Sequence, residues 1–172
     1  TTLANSCYSY MFNDCTSLAT APSILPATTL ASSCYSYMFN DCTSLATAPA
    51  LPATTLASSC YSHMFYNCTS LATAPELPAT TLANWCYSYM FNGCSNLSFI
   101  TVGFEEWNEN ATLDWLQGVC LYGNLIAPNG LPINYGSSYI PYTWSINGIQ
   151  HEITKFITFE AKSDNSYIGL ES

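Results

Sequence analysis

The sequence repeats itself, and this narrows its possible folds more than any other feature. The string Cys-Tyr-Ser-x-Met-Phe begins at Cys7, Cys34, Cys60 and Cys86, at intervals of 27, 26 and 26 residues. The longer interval comes from one extra residue in Pro22-Ser23-Ile24-Leu25-Pro26, where the next unit reads Pro49-Ala50-Leu51-Pro52. Thr1-Thr2-Leu3 matches Thr28-Thr29-Leu30, which predicts an array that is truncated at its N-terminal end, of about four units over residues 1–94. Ordering one unit alone would cost on the order of 40 kcal/mol. Offsetting that needs roughly 1,600 Å² of apolar burial, which only neighbouring units can supply.

Within a unit, the pattern predicts one short helix and one short strand. Thr28 or Thr29 is a suitable helix N-cap. Leu30, Cys34 and Met38 follow four apart on one face, flanked by Tyr35 and Phe39, and Asn40-Asp41 ends the segment. Ser44-Leu45-Ala46-Thr47-Ala48 reads as extended, and Pro49 and Pro52 mark the return. Strands of successive units would pair in parallel. The expected class is an α/β repeat solenoid.

The Met-Phe-x-x-Cys-Thr-Ser-Leu segments, with the Leu-Pro-Ala-Thr-Thr-Leu returns, resemble the BspA-like leucine-rich repeats of Bacteroides-type surface proteins, which also occur in related phage proteins. The likeness covers residues 1–104. It implies a right-handed leucine-rich-repeat array with parallel strands on one side, and no catalytic residues. This chain departs from the pattern in placing Ala where bulkier aliphatics often sit on the strand.

Residues 95–149 read as the last strand and a C-terminal cap. Ser95–Val102 is the strand, Ala111–Gln117 a short helix with Asn110 as its N-cap and Gly118 past its end, and Trp115 and Leu116 shield the open edge of the array. Further short strands are expected at Asn124–Ala127 and Tyr142–Ile146. Residues 150–172 read as a β-hairpin or the start of a further β domain, with strands at Ile153–Ala161 and Ser166–Leu170.

Composition removes several functions. Lys155 and Lys162 are the two basic residues, Arg is absent, and the net charge is −9. Nucleic-acid binding requires a cationic footprint, so it is not expected. Nor is membrane insertion, since no apolar run approaches the length of a span. Eight of the nine cysteines form two ladders, Cys7/Cys34/Cys60/Cys86 and Cys15/Cys42/Cys68/Cys94. Their spacing fits neither a zinc knuckle nor a disulfide within a helix, and predicts buried free thiols. Cys60 and His63 form a formal nucleophile–base pair, but the other units lack the histidine. Glu105, Glu106, Glu109 and Asp114 cluster without the alternation and turn glycine of a calcium loop. No catalytic, cofactor or metal residue is expected, and the chain is not read as an enzyme.

Differences between units point to solvent-facing positions. Ser6, Ser33 and Ser59 become Trp85; Tyr10, Tyr37 and Tyr89 become His63; and Asn40-Asp41 becomes Tyr66-Asn67. Trp85, His63 and Tyr66 are therefore a candidate exposed aromatic patch, with packing of Trp85 on the cap as the alternative. Thr20, Thr47 and Thr73 on the strand face form a second candidate surface. The expected function is a non-enzymatic adhesion or binding module at the bacterial cell surface. Its ligand would be a host or microbial protein or glycan, and the chain a monomeric fragment of a longer protein. The alternative is a spacer or display element, for instance of a phage virion.

Overall fold

Every fourth residue in the segment predicted to be helical has a left-handed backbone. The φ angle is 53° at Ser33, 58° at Tyr37 and 58° at Asp41. The same state recurs at Ser6, Tyr10 and Asp14, at Ser59, His63 and Asn67, and at Trp85, Tyr89 and Gly93. A right-handed helix cannot contain such residues. The computed structural model describes residues 3–150 and has no helix among them.

The segment is instead a run of consecutive turns whose N–H groups alternate in direction. The amides of Cys34, Ser36, Met38, Asn40 and Cys42 donate to carbonyls three residues back, at 3.1–3.2 Å. Those of Ser33, Tyr35, Tyr37, Phe39 and Asp41 donate to Ser58, Cys60, Ser62, Met64 and Tyr66, at 2.8–3.0 Å. Half the amides thus close local turns and half join this segment to the one that follows it in sequence. Both sets satisfy backbone groups that burial would otherwise leave unpaired.

This overturns the expected α/β leucine-rich-repeat solenoid with short helices. The described residues form a mostly non-helical fold of turns with one small mixed sheet. Its strands are β1 (Phe99–Thr101), β2 (Asn124–Ile126), β3 (Ser145–Ile146) and β4 (Ile149–Gln150). Their order is β1-β2-β3-β4, with the first two pairings parallel and the last antiparallel. Before β1 the extended runs meet only in isolated parallel bridges, such as Thr20 with Thr47 and Thr29 with Thr55. The prolines explain this. Pro49 and Pro52 lack an N–H, so a ladder through the Ala-Thr-Ala-Pro run cannot lengthen into a strand.

The predicted helix at Ala111–Gln117 is also built of turns. Its start is held by Asn108 rather than Asn110, because the Asn108 Oδ1 accepts from the amides of Asn110 and Ala111, each at 3.1 Å. Carbonyls of Ala111, Leu113, Trp115 and Gln117 accept from the amides of Tyr87, Tyr89, Phe91 and Gly93. Of the strand expected over Ser95–Val102, only β1 forms, and the one expected over Tyr142–Ile146 shrinks to β3. The hairpin expected over residues 150–172 lies, from His151 onward, outside the described residues.

One apolar core runs through the described residues. Phe12, Phe39, Phe65 and Phe91 stack in sequence at 5.4, 5.6 and 5.6 Å between ring centroids. Tyr8, Tyr35, Tyr61 and Tyr87 stack beside them at 5.6–6.1 Å. Each buried Phe or Leu stabilises the fold by about 1.5–3 kcal/mol. At the C-terminal end Trp115 and Trp144 are fully buried, and their indole N–H groups donate to the carbonyls of Tyr139 (2.7 Å) and Cys120 (2.8 Å).

Candidate binding surface

A second set of rings lies outside this core. Tyr10, Tyr37, His63 and Tyr89 stack at 4.5, 4.3 and 4.6 Å, with interplanar angles of 7°, 12° and 18°. All four have the left-handed backbone, with φ of 61°, 58°, 57° and 55°. The amides of Tyr10, Tyr37, His63 and Tyr89 each donate to a carbonyl of the following segment, at 2.8–3.0 Å. Equal backbone conformation and a fixed offset thus place each ring over its successor. Tyr66 leans on His63 at 5.7 Å.

The column is polar without charge. Burial pushes the His63 imidazole below its ordinary pKa, favouring the neutral ring. Desolvation raises the phenols of Tyr37 and Tyr89, aided at Tyr37 by the neighbouring Tyr10 and at Tyr89 by Asp114. Since Tyr37 and His63 each have a ring on both faces, a ligand can meet them only at their edges. Among the described residues Tyr89, with a ring on its His63 side alone, and Tyr10, 56% exposed, stand at the two ends of the stack.

His63 Nδ1 lies 2.9 Å from Ser62 Oγ, which in turn lies 3.0 Å from Ser88 Oγ. A serine nucleophile would need to reach a substrate, but Ser62 is buried and the imidazole is covered on both faces. Cys60, the other partner considered for His63, is fully buried, and desolvation raises its thiol pKa. That suppresses the thiolate on which cysteine nucleophiles depend.

The structure brings together His63 and Tyr66 but sets Trp85 apart. Trp85 is 37% exposed and shares its column with Ser6, Ser33 and Ser59. Among the described residues no ring contact joins it to His63 or Tyr66. Thr20, Thr47 and Thr73 are exposed on the bridge side. Thr20 pairs with Thr47, and Thr73 pairs with Phe99, from which the register continues to Asn124 and Ser145. Sequence reasoning missed Tyr10, Tyr37 and Tyr89 as partners of His63. The signal was the four-residue spacing of Ser33, Tyr37 and Asp41, repeated in the other units.

The cysteines are free, with Cys7 and Cys15 exposed and the six from Cys34 to Cys94 buried. Cys42, Cys68 and Cys94 each donate through Sγ to the carbonyl of Phe12, Phe39 and Phe65, at 3.0–3.1 Å. Glu105 and Glu106 are exposed, and Glu109 accepts from the Tyr139 hydroxyl at 2.5 Å. Among the described residues no group of three or more His, Cys, Asp or Glu side chains is placed to hold a metal ion. Compared with known protein families, curated proteins and solved structures, the chain matches none.

Proposed function

We propose that this chain is a non-enzymatic binding module that recognises a neutral, hydroxyl- or amide-rich ligand, a glycan or a protein segment, along its ring column. One observation carries the reading: Tyr10, Tyr37, His63 and Tyr89 repeat their hydrogen-bonding edges at 4.3–4.6 Å along a rigid backbone ladder. Tyrosine supplies contact area and a hydroxyl at low conformational cost, which suits recognition. The net charge of −9 disfavours polyanions. Screening on glycan and protein arrays tests the reading. Signal that falls on Tyr37→Ala and Tyr89→Ala, and survives Trp85→Ala, is the expected result. Signal lost only with Trp85→Ala, or no saturable signal, overturns it.

The amide ladder that joins each turn segment to the next between Ser6 and Gln117 favours a second reading, a stiff spacer or display element. A spacer would retain its role after Tyr37→Ala and Tyr89→Ala provided the fold survives, which circular dichroism checks.

A further inference from the structure

The dipeptide Asn-Gly occurs three times, at Asn92-Gly93, Asn129-Gly130 and Asn147-Gly148. In this pairing a backbone amide readily attacks the preceding side chain, because glycine has no Cβ to crowd its nitrogen. On sequence alone the three are alike. The structure separates them by what holds the two reacting groups.

Asn92 and Gly93 are held on both sides. The Asn92 Nδ2 donates to the Asp114 carbonyl at 3.2 Å and to Gln117 Oε1 at 3.1 Å, and the Gly93 amide donates to the Gln117 carbonyl at 2.8 Å. Asn147-Gly148 closes the hairpin between β3 and β4, with φ of 50° and 77°. Asn147 is exposed, yet its Oδ1 accepts from the Ala127 amide at 3.0 Å and its Nδ2 donates to the Ala127 carbonyl at 3.2 Å. The Gly148 amide donates to Asn124 Oδ1 at 3.1 Å. In both pairs the amide nitrogen and the carboxamide must leave their partners before they can meet.

Asn129-Gly130 lacks that restraint. The two residues are exposed in a turn closed by the Leu131 amide, which donates to the Pro128 carbonyl at 3.1 Å. Among the described residues, neither the Asn129 carboxamide nor the Gly130 amide has a hydrogen-bond partner. A Cβ on Gly130 would meet nothing within 4 Å, so the space around the attacking nitrogen is open.

We propose that Asn129 is a self-modification site, converted to an aspartyl or isoaspartyl residue through a cyclic imide while Asn92 and Asn147 are preserved. The Gly130 nitrogen attacks Asn129 Cγ as its proton passes to solvent base. The N–Cγ bond forms, the Cγ–Nδ2 bond breaks, and Nδ2 leaves as ammonia with a proton from water. Water then opens the imide at either carbonyl, leaving a carboxylate where the carboxamide stood. Both products add a negative charge to a chain already at −9, and the isoaspartyl form also inserts a carbon into the backbone of the turn. The turn leads into buried Leu131 and then Pro132, whose carbonyl accepts from the Trp107 indole at 2.7 Å.

The test incubates the whole chain in mildly alkaline buffer, folded and in parallel in urea, and follows each Asn-Gly peptide by mass spectrometry. In the folded chain Asn129 should convert at least ~10-fold faster than Asn92 or Asn147, since each of those must first break its hydrogen bonds. In urea the three rates should converge. Gly130→Ala adds a Cβ beside the attacking nitrogen with nothing to clash against. It should leave the fold intact by circular dichroism and slow conversion of Asn129 at least ~10-fold. Conversion of Asn92 or Asn147 in the folded chain at the rate of Asn129 overturns the proposal. So does an Asn129 that reacts in urea but not in the folded chain, or a conversion that Gly130→Ala leaves unchanged.

Discussion

The thiol of Cys68 donates a hydrogen bond to the carbonyl oxygen of Phe39, 3.1 Å away and 29 residues earlier. Cys42 and Cys94 repeat the contact with Phe12 and Phe65. Sulfur thus serves as a small apolar filler that can also satisfy a buried acceptor. Native-state alkylation should therefore divide the cysteines. Cys7 and Cys15 should react within the time that leaves Cys34, Cys42, Cys60, Cys68, Cys86 and Cys94 unmodified, and denaturant should release all six together. Mass spectrometry of peptides after a short iodoacetamide pulse reads this directly. Labelling of Cys60 or Cys68 at the rate of Cys7 would contradict the buried ladders.

The same thiols predict loss of stability in alkali. Burial raises the pKa of Cys42 to about 11 and of Cys86 and Cys94 to about 12, against an ordinary 9.0, and that of Tyr35 to about 12 against 10.0. The folded state holds these protons more tightly than the unfolded chain. Their contribution is then complete below pH 9.0 and declines as pH rises toward about 12. Urea midpoints should be flat from neutral pH to the edge of that window and fall within it. A midpoint unchanged at about pH 11 would count against the burial described.

The period of the fold was legible in the sequence, whereas its local conformation was not. Leu30, Cys34, Met38 and Cys42 are buried at a strict spacing of four, a pattern that on sequence alone reads as a helical face. At 100° per residue an α-helix drifts by about 40° with each such step, so Cys42 would leave the face that Leu30 occupies. A turn repeating every four residues does not drift. The left-handed column Asp14, Asp41, Asn67 and Gly93 carried the corresponding clue, since all three residue types favour positive φ. Tyr and His at the neighbouring column hid it, because their propensities do not announce that conformation. At the candidate surface, the substitution of Tyr by His63 was visible. The stacking of Tyr10, Tyr37 and Tyr89 on either side was not, because it depends on the side chains projecting from turns.

Ser59, with φ of 55°, tests the cost of the left-handed column. Its amide donates to Asn84, a bond that either replacement below retains. Ser59→Gly removes the Cβ penalty and should leave stability unchanged or raise it by up to ~1 kcal/mol. Ser59→Val places a β-branched residue in a conformation it rarely adopts and should cost ~1–3 kcal/mol. Chemical denaturation of the pair measures the difference. Equal stability of the two variants would mean that the backbone relaxes freely at this position.

Gly103 marks a closer constraint. A Cβ there would stand 2.7 Å from the carbonyl oxygen and 2.9 Å from the carbonyl carbon of Pro78, both backbone atoms. The amide of Gly103 also donates to Leu77 at 2.8 Å, which fixes the approach. Gly103→Ala should destabilise the fold by ~1–3 kcal/mol, as overpacking does. Gly130, whose Cβ would meet nothing within 4 Å, serves as control, and Gly130→Ala should be neutral by the same thermal or urea measurement.

His63 supplies the acid-side counterpart of the thiols. Burial lowers its pKa in the folded state relative to 6.5, so the unfolded chain binds that proton more readily. Its contribution is therefore complete above pH 6.5 and is lost as pH falls through 6.5 toward the depressed folded value. A phenol does not titrate in this range, and His63→Tyr restores the residue found at Tyr10, Tyr37 and Tyr89 while keeping a ring between two others. Wild type and variant should have similar urea midpoints at neutral pH and diverge on acidification, with His63→Tyr the more resistant. Other groups titrating in the same interval cancel in the comparison, so parallel curves across pH 5–7 would show that the imidazole is as well solvated in the folded protein as in the unfolded chain.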